Sequence, residues 1–255
     1  MRAAVTSDDD FRPKTSTRFG QGALGEPDDI ERRHTTLQEF RLDSGTPCLL
    51  ARPLGEVTGA VVLAPSLRGH NGMFTELCFR LAQRRGWAVA SPDFLPSMQG
   101  RSDQERYDSM SSVADAVVLE DLISAAACLQ APKIALIGFC CGGMYAFKAS
   151  VTKHFTAIVS FYGMVTVPPK WQNARSAEPL FCLRSRTAPV LAIFGGHDPL
   201  IAAEQAAEVE QLGVPTVMFP NAGHAFAHDP SLASYRHDDA QAAWRAASKF
   251  IADYL

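Results

Sequence analysis

No apolar run in the sequence approaches the length of a membrane span, so no transmembrane helix is expected. There is no excess of basic charge: 24 Lys and Arg stand against 27 Asp and Glu, a formal charge of -3. That balance supplies no attraction for nucleic acid or an anionic membrane surface. Residues 1–10 lack a hydrophobic core and end in an acidic triplet, so no secretory leader is expected. Cysteines are few. The six, at 48, 78, 128, 140, 141 and 182, have neither metal-ligand nor disulfide-framework spacing. Neither they nor the His and Asp residues form a set at metal-ligand spacing, so no metal site is expected; no cofactor is expected either, and a reducing cytoplasm is the compartment that fits. Internal repeats and low-complexity segments are also missing. With 47% apolar and 20% charged residues, disorder overall is excluded, and 255 residues suit one domain with a sizeable core. The expected partner is a small-molecule substrate, taken by a monomer or small homo-oligomer.

Residues 1–33 are polar and broken by Gly20, Gly22, Gly25 and Pro27, which predicts a flexible arm without chemistry ahead of a domain over 34–255. Two strand-like runs, 35–42 and 47–53, flank Asp43-Ser44-Gly45 and predict a hairpin. Strands are predicted at 60–64, 87–90, 134–137, 157–162, 190–194 and 216–219, with those at 60–64 and 134–137 buried and the latter of these two β-branched and charge-free. Helical spacing predicts helices over 74–84, closed by Gly86, and over 113–129, 202–212 and 239–255. The charged stretch 100–108 reads as a surface loop or a helix start. Residues 163–187, with Pro168, Pro169 and Trp171, read as a flap. Alternating strands and helices after a hairpin predict an α/β class: a mostly parallel sheet with helices on both faces.

One stretch organises the rest. Ile134-Ala135-Leu136-Ile137 runs into Gly138-Phe139-Cys140-Cys141-Gly142-Gly143 and then into a helix beginning at Met144. A strand that enters a helix through Gly-x-nucleophile-x-Gly is a nucleophile elbow, with Cys140 in the reactive position. Only Cys140 has a glycine two before and two after it. Cys141 offers a backbone N–H beside the nucleophile, where an oxyanion donor is needed. The helix N-terminus and a nearby imidazolium would favour the thiolate. A cysteine nucleophile needs a base, and the base needs an orienter. Asp198 follows the strand at 190–194 through Gly195-Gly196-His197, and His224 follows the strand at 216–219 through Pro220-Asn221-Ala222-Gly223. Both stand just past strand ends, in the order nucleophile, acid, histidine. His34, His154 and His237 fall outside such loops and are expected in solvent. His70 and His228 lie on loops that border the pocket.

Together, Gly138-Phe139-Cys140-Cys141-Gly142-Gly143, Phe194-Gly195-Gly196-His197-Asp198 and Gly223-His224-Ala225-Phe226 resemble the dienelactone hydrolase family, from about residue 37 to 255. The resemblance implies an α/β-hydrolase fold and hydrolysis of small esters or lactones. It matches Cys140 to the nucleophile, Asp198 to the triad acid and His224 to the base, with the N–H groups of Leu67 and Cys141 as the oxyanion hole. It also exposes two departures. Enzymes of the family that open dienelactone carry a glutamate where Ser66 stands and an arginine where His228 stands. A second arginine, which helps grip the substrate carboxylate, falls on Arg101 or Arg106, and Arg68 is a further candidate for that grip. His228 is cationic only below its ordinary pKa near 6.5, so neutral esters and lactones are expected to be turned over at least as well as carboxylate-bearing ones at about pH 7.5, with any preference for the anion growing on acidification. Two rival readings share the scaffold: a thiol redox or peroxide-sensing protein using Cys140 and Cys141, and a non-catalytic binding protein.

Overall fold

The computed structural model describes residues 34–95 and 100–255; the arm expected over 1–33 lies outside them. The hairpin forms as its turn residues imply. Strands β1 (Thr35–Arg41) and β2 (Pro47–Pro53) pair antiparallel. Gly45 takes φ +86° in the turn between them, a conformation that favours glycine. The Ser44 and Thr46 hydroxyls both donate to the buried Asp121 carboxylate at 2.6 and 2.7 Å, which ties the turn to a helix far along the chain.

Six further strands follow: β3 (Gly59–Ala64), β4 (Trp87–Pro92), β5 (Ala135–Phe139), β6 (Ala157–Phe161), β7 (Val190–Gly195) and β8 (Thr216–Phe219). The sheet order is β1-β2-β4-β3-β5-β6-β7-β8, with β2 antiparallel to β4 and every later pairing parallel. Strands β4 to β7 are buried at every position. That is why they read as unbroken apolar runs rather than alternating ones.

Helix α1 (Gly72–Arg85) is capped at its start by Asn71, whose side chain accepts from the N–H groups of Met73 and Phe74. It is closed by Gly86 at φ 72°. It shares a face of the sheet with α7 (His237–Ala252): Phe74 and Trp244 both pack on the ring of Phe139, at centroid distances of 5.8 Å. Each such buried ring contributes roughly 2–3 kcal/mol through the area it removes from water. Helices α3 (Asp115–Leu129) and α4 (Cys141–Ala149) pack together and on the central strands. The charged stretch is a helix, α2 (Asp103–Ser109), started by a reciprocal cap between Ser102 and Glu105. Short α5 (Pro179–Arg184) packs on α4, and α6 (Ala203–Gln211) lies by β8.

The segment expected as a flap is docked rather than free-standing. Trp171 packs on Tyr107 of α2, Asn173 donates to the Val113 carbonyl, and the Ala177 N–H donates to Asp115. Asp115 also accepts from Lys148 at 2.7 Å, an ion pair with the ammonium almost completely buried. Truncating one member of a buried pair leaves the other charge uncompensated. Lys148→Ala should therefore lower stability by about 3–5 kcal/mol in urea unfolding; a loss below about 1 kcal/mol would show that Asp115 finds water instead.

Candidate active site

Strand β5 runs through Phe139, two residues past the apolar run that announces it, and α4 begins at Cys141 rather than Met144. Between them Cys140 sits at φ 54°, ψ -115°. A non-glycine residue at positive φ carries strain of about 1–3 kcal/mol, held by its surroundings. The Cys140 N–H donates to Phe161 O at 3.0 Å, and its own carbonyl accepts from Met144 N–H at 2.9 Å. The flanking glycines are required by contact. A Cβ on Gly138 would lie 2.2 Å from Gly142 O, and one on Gly142 would lie 2.3 Å from Ala64 O and 2.4 Å from Pro65 O. The second contact presses the end of β3 and the first residue of the loop after it against the elbow.

The loops after β7 and β8 are docked by the same device. A Cβ on Gly195 would lie 2.4 Å from Ala222 O. Gly196 N–H donates to Phe219 O at 2.8 Å, and His197 N–H to Ala222 O at 2.9 Å. This contact brings Asp198 to His224: the Asp198 carboxylate, fully buried, lies 2.7 Å from His224 Nδ1. The other Asp198 oxygen accepts from the Leu200 N–H at 2.9 Å. With Nδ1 so engaged, His224 presents Nε2, which is buried and has no hydrogen-bond partner of good geometry. Burial alone would push this imidazole down. The charge of Cys140, hydrogen bonding from Asp198 and Cys140, and the Asp198 charge outweigh it and hold the ring up at about 10. The Cys141 thiol is completely buried, and burial followed by the neighbouring Cys140 charge pushes it well above the ordinary range. All six cysteines are free thiols.

Of the expected substrate contacts, Ser66 is buried in the loop after β3 and its hydroxyl accepts the Arg68 N–H at 3.4 Å. Arg68 is half exposed and paired with Asp103 at 2.7 Å. Arg101 lies in solvent and donates to Ser109. Arg106 is buried, donating to the Leu67 and Arg101 carbonyls.

His228 departs furthest from expectation. It is 8% exposed, with ring centroids 5.4–5.6 Å from Phe139, Phe74 and Tyr162, and it hydrogen-bonds the Tyr162 hydroxyl through Nδ1. Burial, against the favourable charge of Asp229 and with the unfavourable charges of His224 and Arg68, drives its pKa down to about 3. It stays neutral where it was expected to become a cation. Tyr162, at φ 40° just past β6 and edge-on to His224, is a member of the site that the sequence reading missed. Its position at a parallel strand's carboxyl end was the available signal.

A histidine held below its unfolded value stabilises the fold above pH 6.5 and loses that contribution as pH falls toward the folded value. His70, also lowered chiefly by burial, acts with the same sign. Stability should therefore fall below pH 6.5 with a slope of about 1.4 kcal/mol per pH unit for each proton taken up. His228→Gln, which keeps a partner for Tyr162, should flatten that slope by about one proton; an unchanged slope would show that His228 does not titrate on unfolding.

Sheet order, elbow and strand-end loops define an α/β-hydrolase fold, and the chain is a hydrolase. It belongs to the dienelactone hydrolase family, whose sequence model matches residues 47–255. Among relatives, a Bradyrhizobium sp. protein named "Probable 2-oxo-3-(5-oxofuran-2-ylidene)propanoate lactonase" is 31% identical over 215 residues, covering 76% of this chain and 84% of its own. A Yersinia pestis protein named "Putative carboxymethylenebutenolidase" is 27% identical over 224 residues, covering 78% and 80%. A crystal structure titled as a "Putative Dienelactone Hydrolase" of Klebsiella pneumoniae superposes with a TM-score of 0.77 at 25% identity, over 87% of this chain and 100% of that one. Membership implies a small-molecule substrate. Among the described residues no helix is long and apolar enough to cross a membrane, and no group of three or more His, Cys, Asp or Glu is placed to hold a metal ion.

Proposed function

We propose that the chain hydrolyses small carboxylic esters or lactones through an acyl-Cys140 intermediate. The observation that carries this is the 2.7 Å Asp198–His224 pair, whose imidazole feels the charge of Cys140 on the strained elbow. His224 takes the thiol proton, and the thiolate attacks the carbonyl carbon. The N–H groups of Leu67 and Cys141 receive the oxyanion, a contribution of about 3–4 kcal/mol per donor in enzymes where it has been measured. As the tetrahedral adduct collapses, imidazolium protonates the departing alkoxide. His224 then deprotonates a water that cleaves the thioester, returning the thiol and releasing the acid. In a lactone both products stay in one molecule. The lactonase named among the relatives makes lactones the first substrates to try.

The site favours uncharged substrates. Ser66 holds no negative charge that an anionic substrate must displace, and His228 is neutral. Arg106 is committed to backbone carbonyls, and Arg68 to Asp103. A bidentate carboxylate clamp, which a planar guanidinium supplies best, is therefore not free. The test is a panel of short p-nitrophenyl esters and lactones, each in a neutral and a carboxylate-bearing form, at pH 6 and pH 8, with iodoacetamide as inhibitor. The neutral form should be turned over with kcat/KM at least equal to its anionic partner at both pH values. Because His228 does not charge in that range, the expected growth of anion preference on acidification is replaced by a flat ratio. No turnover of any ester or lactone, with iodoacetamide still labelling Cys140, would favour the redox or binding readings. An anion preference above about tenfold would mean that Arg68 leaves Asp103 to grip the substrate.

A further inference from the structure

The turn after β3 is held from two sides. Within it, Gly69 N–H donates to Ser66 O at 2.9 Å, and Gly69 itself takes φ +62°. From outside, α2 reaches over it with two side chains. Arg106 Nη1 donates to Leu67 O at 3.2 Å, and Asp103 pairs with Arg68 at 2.7 Å. The Arg106 guanidinium is packed behind the turn. A Cβ added to Gly69 would lie 2.5 Å from Asp93 Oδ1 and 3.3 Å from Arg106 Nη1. The Arg106 Nε donates to Arg101 O at 3.2 Å, which fixes the guanidinium to the start of its own helix.

Both carbonyl groups that flank Leu67 are therefore engaged: Ser66 O by Gly69, Leu67 O by Arg106. A peptide plane is rigid, and its N–H points opposite its carbonyl. Fixing the Ser66 carbonyl fixes the direction of the Leu67 N–H, and fixing the Leu67 carbonyl removes the remaining backbone rotation at that residue. The second bond comes from a charged donor, about twice as strong as a neutral one. A donor aimed before the reaction begins costs no reorganisation when the oxyanion forms.

We infer that Arg106 is a positioning residue for the oxyanion hole: it holds the Leu67 peptide in register and does not contact substrate. This rests on the proposed acyl-Cys140 chemistry, in which the Leu67 N–H is a donor. It gives Arg106 a different task from the carboxylate grip that the family resemblance implied for Arg101 or Arg106.

The experiment compares Arg106→Gln and Arg106→Lys with the wild type on matched neutral and anionic esters. Three readings accompany it: inhibition by an alkyl trifluoromethyl ketone, which adds the Cys140 thiolate and forms an oxyanion; the rate of Cys140 alkylation by iodoacetamide, which forms none; and the melting temperature. In Arg106→Gln, kcat should fall about tenfold to a hundredfold, less than the loss of a whole oxyanion donor. KM should stay within about threefold, for both substrates alike. Affinity for the ketone should fall with kcat, while alkylation stays within about twofold. Arg106→Lys, able to make one of the two contacts, should recover at least about a third of the loss on the same logarithmic scale. If Arg106→Gln does not fold, Arg106→Lys should show the same pattern at about threefold to tenfold.

A loss confined to KM for the anionic ester would assign Arg106 to the substrate and overturn the inference. An alkylation rate that falls as far as kcat would overturn it in favour of general support of the site, and so would unchanged kinetics. Turnover that survives Cys140→Ala with Arg106 intact is the separate result that would bring down the acyl-cysteine reading itself.

Discussion

Cys140→Ala should lose at least about four orders of magnitude in kcat, while Cys141→Ser stays within about tenfold of the wild type. The two sulfurs are adjacent in sequence and opposite in environment. Cys140 is partly exposed at the elbow, within reach of His224, and its charge is one of the groups that hold that imidazole up at about 10. Cys141 is fully buried in the first turn of α4, and burial keeps its thiol protonated. The contribution of Cys141 is its backbone N–H, which serine retains. The redox or peroxide-sensing reading uses both sulfurs, the second resolving the oxidised first. The measurement is steady-state turnover of a neutral p-nitrophenyl ester by both variants, with circular dichroism to confirm the fold. Equal losses in two folded variants would overturn the hydrolytic assignment and favour the paired-thiol reading.

Much of this arrangement was legible because the chemistry needs glycine where backbones touch. Gly138, Gly142 and Gly195 stand where an added Cβ would meet a carbonyl oxygen at 2.2–2.4 Å, so the site motifs announced themselves as glycine patterns past buried strands. The strand ends were less legible. Phe139 belongs to β5 because it pairs with Phe161 of β6, and a pairing register is invisible in a single run of apolar residues. The start of α4 was hidden by the poor helix propensity of Gly142 and Gly143, which are there for close approach to β3 and to Gly163. Helix α2 was hidden by its charge, although Ser102 and Glu105 stand at capping-box spacing. Least legible were the fates of Arg106 and His228. A residue type says what a side chain can do, whereas burial decides what it does. His228 is neutral because Phe74 of α1 and Phe139 of β5 close over it, and those residues are distant from it in sequence.

Asp198→Asn should lower kcat by about a hundredfold to a thousandfold at pH 7, with the deficit narrowing by about tenfold at pH 9. In the native site the carboxylate accepts a hydrogen bond from His224 Nδ1–H at 2.7 Å, so whenever the ring is neutral, as it is once acylation removes the Cys140 charge, the favoured tautomer leaves Nε2 free to act as base. An amide at 198 still accepts the Leu200 N–H through its oxygen, which turns its NH2 toward the imidazole. Nδ1 then becomes the acceptor, the ring proton moves to Nε2, and the base is blocked. The same change removes the Asp198 hydrogen bond and charge, two of the influences that keep the imidazole protonated against the pull of burial. A serine nucleophile would be stranded by this. A thiol gives up its proton to water far more readily than a hydroxyl does, which is why the loss is smaller than for Cys140→Ala and shrinks in base. The alternative acids are occupied elsewhere: Asp229 accepts the Ser231 N–H and hydroxyl, and Asp93 stands behind Gly69 beside Arg106. The check is a pH–rate profile of Asp198→Asn against wild type, with Asp229→Asn as the control. A folded Asp198→Asn enzyme within about tenfold of wild type at pH 7 would show that His224 is oriented without this carboxylate. A deficit unchanged between pH 7 and pH 9 would show that thiol ionisation is not what the pair controls.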